Sequence, residues 1–122
     1  MNVSEILSDE SKWCKETWAI LQNGKESLHG NSSDACQWCL DGALERKHFP
    51  DVGTKEWEDR YNGDLLQTFR RQEELFAEDE QKLKEAIQEL YPAYALDSPV
   101  SFNDSFDVTF EMVRAVVLKA GV

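Results

Sequence analysis

The chain is 122 residues long and carries 24 Asp and Glu against 13 Lys and Arg, a net charge of −11 with His neutral. That length suits one domain with one core. The charge opposes binding to bare phosphate backbone or anionic lipid, both of which ask for a basic face. A hydrophobic share of 41%, with 11% of the chain aromatic, exceeds what an acidic disordered tail carries.

Met1 to Glu10 hold neither a basic start nor an apolar run of signal-peptide length. No stretch approaches the roughly 18 apolar residues needed to span a bilayer. A cytoplasmic location is expected, and Cys14, Cys36 and Cys39 are expected as reduced thiols. Ile6 and Leu7 mark a short helical pattern over 4–11 that leads to Trp13. Thr17, Trp18, Ile20 and Leu21 suit a strand, Asn23-Gly24 is a turn signal, and 25–28 is the returning strand of a hairpin. Residues 29–33, HGNSS, form a loop by composition.

Asp34 reads as the N-cap of a helix over 34–47. On it Cys36, Cys39, Leu40, Ala43 and Leu44 fall at i, i+3, i+4, i+7 and i+8, one apolar stripe. Gly42 within it costs about 1 kcal/mol relative to Ala, which suits a place where another backbone packs closely. Arg46 and Lys47 complement the dipole in the last turn. Trp57 and Tyr61, four apart, allow a short helix, which Asn62-Gly63 breaks; Asp64 caps the next. Leu65, Phe69, Gln72 and Phe76 step by four, three and four, and Leu83, Ile87 and Leu90 resume seven residues later. Asp79 or Glu80 falls between the two runs as a poor core residue. Two helices, 64–76 and 79–90, are therefore predicted, with one uninterrupted helix as the alternative. Pro92 ends the second. Residues 100–102 are predicted as a strand and Asn103-Asp104 as a turn. A last helix over 109–120 buries Phe110, Val113, Val117 and Ala120, with Gly121 past its end. The expected fold is mainly α: four to five helices in one domain over 1–122, with a small N-terminal hairpin as the minor β element.

Four features could carry chemistry. Cys36-Gln37-Trp38-Cys39 is a C-x-x-C pair, but a zinc site needs two more ligands, and no second pair is present. The bland alternative makes both thiols small apolar residues on the stripe. A Cys-based enzyme needs a His beside the thiol; His29, in its loop, is the one free to fold back, whereas His48 stands about 13 Å from Cys39 along that helix. No catalytic residue, metal or cofactor is therefore assigned, with Cys36 and Cys39 the weak metal candidates. Four tryptophans, Trp13, Trp18, Trp38 and Trp57, pack in a core or form a binding surface; Trp38 lies off the stripe and is the candidate for exposure. Glu73, Glu74, Glu78, Asp79 and Glu80 concentrate negative charge, either as a solvated helix face or as a surface for a basic partner. Asn103 and Asp104 either bond a turn or line a pocket.

Three pieces together carry a resemblance. They are Trp13 with Trp18-Ala19, then Cys39-Leu40-Asp41-Gly42-Ala43-Leu44, then Phe102-Asn103-Asp104 followed by Thr109 and Val113. In order and spacing the chain resembles a family of small bacterial and phage proteins whose domain has no assigned function. The resemblance implies that Cys39, Gly42, Ala43, Asn103, Asp104 and Thr109 belong to one structural or binding unit. The acidic, aromatic stretch around 51–80 exceeds the family pattern and reads as an insertion. Residues 51–89 hold 12 of the 24 acidic residues against 6 basic ones.

The leading expectation is a non-enzymatic acidic interaction module for a basic protein partner, with no direct nucleic-acid binding and no membrane. A phage-encoded inhibitor of a host nucleic-acid-binding system is its concrete form. The alternative is a small-ligand domain whose pocket gathers Trp13, Trp18, Trp38, Asn103 and Asp104.

Overall fold

The computed structural model describes residues 1–49 and 65–122, and of residues 65–68 only the backbone. The expected short helix at Trp57 and Tyr61, the Asn62-Gly63 break and the Asp64 cap lie outside these residues.

The chain opens with helix α1 (Val3–Ile6) and a 3₁₀ turn (Glu10–Lys12) whose N-cap, Asp9, accepts from the Ser11 amide. The hairpin follows as expected: β1 (Ala19–Leu21) and β2 (Glu26–Ser27) pair antiparallel. Their turn places Gly24 at φ +84°, the left-handed region that glycine enters without steric cost. The expected helix over 34–47 is corrected in its first half. Residues Ala35–Trp38 form β3, antiparallel to the other side of β1, giving the order β2-β1-β3. Helix α2 (Leu40–His48) starts only after it. Long-range pairing overrides the local cap signal at Asp34: Ala19 faces Trp38, the Cys39 amide donates to the Trp18 carbonyl at 3.1 Å, and the Trp38 indole donates to the Gly30 carbonyl at 2.8 Å.

Cys39 then caps α2 with sulfur, its Sγ accepting from the Gly42 amide at 3.2 Å. Gly42 sits where no side chain fits, since a Cβ there would lie 1.9 Å from the Trp18 carbonyl oxygen. Gly30 presses equally close on the Gly42 carbonyl. The sheet, the 29–33 loop and the start of α2 therefore stack through two glycines. The close packing read from Gly42 is present, against the sheet.

Helix α3 (Leu65–Leu90) is continuous, so the predicted break near 79 is also corrected. Asp79 does occupy a buried position, but partners from α2 neutralise it there, as described below. A 3₁₀ turn (Pro92–Tyr94) leads to α4 (Pro99–Asp104), which replaces the strand expected at 100–102. Ser98 caps it and Pro99 supplies its first residue, a position where the missing N–H costs nothing. Helix α5 (Phe110–Ala120) follows expectation, with Thr109 as N-cap and Gly121 left-handed at φ +74°.

The architecture is mainly α with one small antiparallel sheet. One core joins the described helices: Leu40, Ala43 and Leu44 of α2 meet Leu83, Ala86 and Ile87 of α3, Phe102 of α4, and Val113, Val116 and Val117 of α5, with Val3, Ile6 and Leu7 closing one side. Among the described residues, no helix is long and apolar enough to cross a membrane.

Candidate functional site

Asn103 is wholly buried and is the hub of the N-terminal half. Its Oδ1 accepts from the Trp13 indole at 2.7 Å and from the Leu40 amide at 3.2 Å. Its Nδ2 donates to the Cys14 carbonyl at 3.1 Å and to Asp104 Oδ1 at 3.0 Å. An amide side chain offers two donors and an oxygen with two lone pairs, so all four capacities are used. Asp104 Oδ1 also accepts from the Glu16 amide at 2.9 Å, and Glu16 is held at φ +67°, uncommon away from glycine. Trp13, Cys14 and Trp18, the start of α2 and the end of α4 thus meet in space around Asn103, Cys39 and Gly42. Their role here is to hold the chain's distant parts together.

Trp13 and Trp38 are half-buried, and both indole N–H groups are bonded internally. Three surface cavities among the described residues, of about 410, 260 and 220 Å³, are lined by residues other than Asn103 and Asp104. Trp38 walls the smallest, with Ile6, Lys12, Ser32 and Arg46.

The long helix addresses α2 with two adjacent acids of opposite behaviour. Asp79 lies 2.5 Å from Lys47 Nζ and 2.7 Å from His48 Nε2. Burial alone would raise its carboxyl, but the hydrogen bonds and charges of Lys47 and His48 outweigh that and hold it below the usual carboxylate range. Glu80 instead reaches Asp41 in the first turn of α2. Asp41 is 6% exposed, and its Oδ1 has no hydrogen-bond partner among the described residues. Burial, then the charge and hydrogen bond of Glu80, push Asp41 up to about 7, with Asp104 and Glu45 adding to the effect. A carboxyl beside a carboxylate in a dry contact keeps its proton, because two like charges there would repel. Nothing in the spacing of the sequence marked Asp41. Its one signal was its place on the first turn of a helix whose neighbours Leu40, Gly42 and Ala43 are all core-like.

The thiols are spread over a loop, a strand and a cap. Cys14 Sγ donates to the Thr17 carbonyl at 3.7 Å and Cys36 Sγ to the Ile20 carbonyl at 3.5 Å. Burial pushes Cys14 up to about 12 and Cys39 up to about 11. Both are thus protonated near neutrality, and the thiolate is the reactive form. In the folded protein Cys14 and Cys39 should resist an aromatic disulfide reagent at pH 8 and react at the rate of unfolding; rapid labelling of either at native conditions would contradict the buried geometry. Among the described residues, no group of three or more His, Cys, Asp or Glu is placed to hold a metal ion.

The five acids singled out on α3 divide. Glu73, Glu74 and Glu78 are exposed, with Glu74 3.2 Å from Arg71, whereas Asp79 and Glu80 face α2. Comparison of the chain with protein-family models, curated proteins and solved structures finds no match.

Proposed function

We propose that this chain is a non-enzymatic module that binds a basic protein partner through its acidic exterior. The observation that carries the reading is the charge left on the outside: among the described residues, thirteen exposed acidic side chains face solvent against six exposed basic ones. The ionisable groups that could have formed a reactive centre are spent inward, with Asp79 on Lys47 and His48, and Asp41 on Glu80. An excess of one sign over a surface steers an oppositely charged protein and disfavours like-charged ones.

Binding to a captured basic partner should weaken at least about tenfold between 50 and 500 mM salt, as expected when exposed charges carry the contact. Reversing Glu73, Glu74 and Glu78 to Lys should slow association and flatten that salt dependence. An affinity indifferent to both salt and reversal, followed by calorimetry, would remove the proposal. The small-ligand reading retains one favourable observation, the Trp38-walled cavity of about 220 Å³ with Lys12 and Arg46 at its edge.

A further inference from the structure

Two apolar side chains stand wholly outside the fold. Leu96 is 98% exposed and Phe106 is 101% exposed. Isolated apolar residues on a surface are ordinary, but these two are presented on loops that are fixed and joined. The Leu96 loop is closed by Ala95 N to Pro92 O at 3.1 Å, Asp97 N to Tyr94 O at 2.9 Å and Gln88 Nε2 to Ala95 O at 3.2 Å. The Phe106 loop is closed by Val108 N to Ser105 O at 3.1 Å and Ser105 Oγ to Ser101 O at 2.7 Å. Lys15 reaches over from the N-terminal half to donate to Ser105 O at 2.7 Å. The Tyr94 hydroxyl donates to Asp107, stapling one loop to the other, and the Tyr94 ring meets the buried Phe102 edge-on at 5.4 Å.

The surroundings are acidic. Asp97 follows Leu96 directly, Asp107 follows Phe106 directly, and Asp104, two residues before Phe106, accepts from the Glu16 amide. Lys15 is turned onto Ser105 O and over the Trp13 ring at 5.4 Å, and the cavity that Leu96 shares with Lys84 also holds Glu80.

We propose that Leu96 and Phe106 are an anchor pair, rimmed by Asp97, Asp104 and Asp107, that docks a basic amphipathic helix of a protein partner. The inference rests on the basic-partner reading and narrows it to one surface. Such a helix offers an apolar stripe for the two side chains and flanking Lys or Arg for the rim. A second copy of the chain is the poorer occupant, because it would set carboxylates against carboxylates on a molecule of charge −11. Backbone held in place before binding lowers the ordering cost that an exposed loop otherwise imposes. Apolar anchors ringed by polar groups dominate interface energetics, so losing both should weaken binding at least about tenfold.

The test uses the full chain and two 18-residue probes: a helical Leu/Lys peptide with one apolar stripe, and an all-Lys peptide. Leu96→Ser combined with Phe106→Ser should leave the melting temperature unchanged, since neither side chain is covered by the rest of the chain. The double variant should bind the Leu/Lys peptide at least tenfold more weakly by fluorescence anisotropy, while its binding to the all-Lys peptide stays that of the wild type. Equal binding of the Leu/Lys peptide by both proteins overturns the anchor pair and leaves the basic-partner reading standing. Binding of neither peptide overturns both. A wild type that sediments as a dimer, with the double variant a monomer, assigns the pair to self-association and overturns the proposal.

Discussion

Replacing Asp41 by Asn should make the protein more stable at pH 8 and remove the decline in stability that Asp41 is expected to impose on the wild type above pH 4. The sign follows from proton binding. Asp41 titrates near 7 in the fold against an ordinary 3.8, so the folded state holds a proton that the unfolded chain has released. Its stabilising share is complete below about pH 4 and is lost as pH rises through 7. A difference of about three pH units corresponds to roughly 4 kcal/mol. Asn keeps the shape and offers a permanent N–H to the Glu80 carboxylate, so the like-charge contact between α2 and α3 never forms. The favourable effect of a negative charge in the first turn of α2 is given up, a loss of about 0.5 kcal/mol. Urea unfolding of both proteins at pH 4.5, 6 and 8 should show a gap in favour of Asn that opens as pH rises, by roughly 2–3 kcal/mol. Parallel profiles would mean that Asp41 is ionised in the fold. Asp79 works in the other direction: its carboxyl is held low, so its contribution is present above its ordinary 3.8 and disappears as pH falls below that. Together the two acids place the firmest α2–α3 contact near pH 4, where the share of Asp79 is present and that of Asp41 has not yet declined.

Replacing Asn103 by Ala should cost about 4 kcal/mol, enough to unfold a large fraction of a marginally stable domain. The substitution leaves the Trp13 indole and the Leu40 amide without an acceptor, the Cys14 carbonyl without its donor, and a void beside the buried Phe102. Each orphaned buried polar group costs about 1–3 kcal/mol. Asn103→Asp separates the terms, because it keeps an acceptor for Trp13 and Leu40 but sets a carboxylate beside Asp104. That variant should be weak at pH 8 and recover partly at pH 5, where the new acid takes up a proton. Tryptophan emission during urea titration reads both, and a loss under 1 kcal/mol for Ala would show that Asn103 is not the hub the geometry describes.

Locally encoded elements were legible in the sequence. Asn23-Gly24 announced the hairpin, Thr109 and Gly121 bounded the last helix, and glycine at 42 signalled a close backbone. The errors have a common cause. At 35–38 the cap signal of Asp34 lost to pairing with β1, whose partners lie 14–19 residues away in the chain. The continuity of α3 across Asp79 depended on Lys47 and His48, thirty-odd positions earlier. The short helix at Pro99 was missed for a different reason: Ser98-Pro99 is a start signal in its own right, but six residues are too few to show a period. The candidate site followed the same division. Asn103 and Asp104 stood out as a polar pair, yet their partners Trp13, Cys14 and Glu16 are 88–90 residues distant. Asp41 owes its weakened acidity to burial first and then to Glu80, neither of which a local pattern could supply.

The Asn103 hub also bears on how the molecule is made. A ribosome delivers the chain from its N-terminus at about 5–20 residues per second. Trp13, Cys14 and the first amide of α2 emerge early, but the side chain that joins them arrives with residue 103, and Val113, Val116 and Val117 of the shared core arrive later still. For some seconds the nascent sheet and α2 have apolar faces and no partner to cover them. Fragments that stop before α4 should therefore be poor substrates for folding and good ones for holding chaperones and proteases, so that cellular yield is decided by the arrival of residues 103–122.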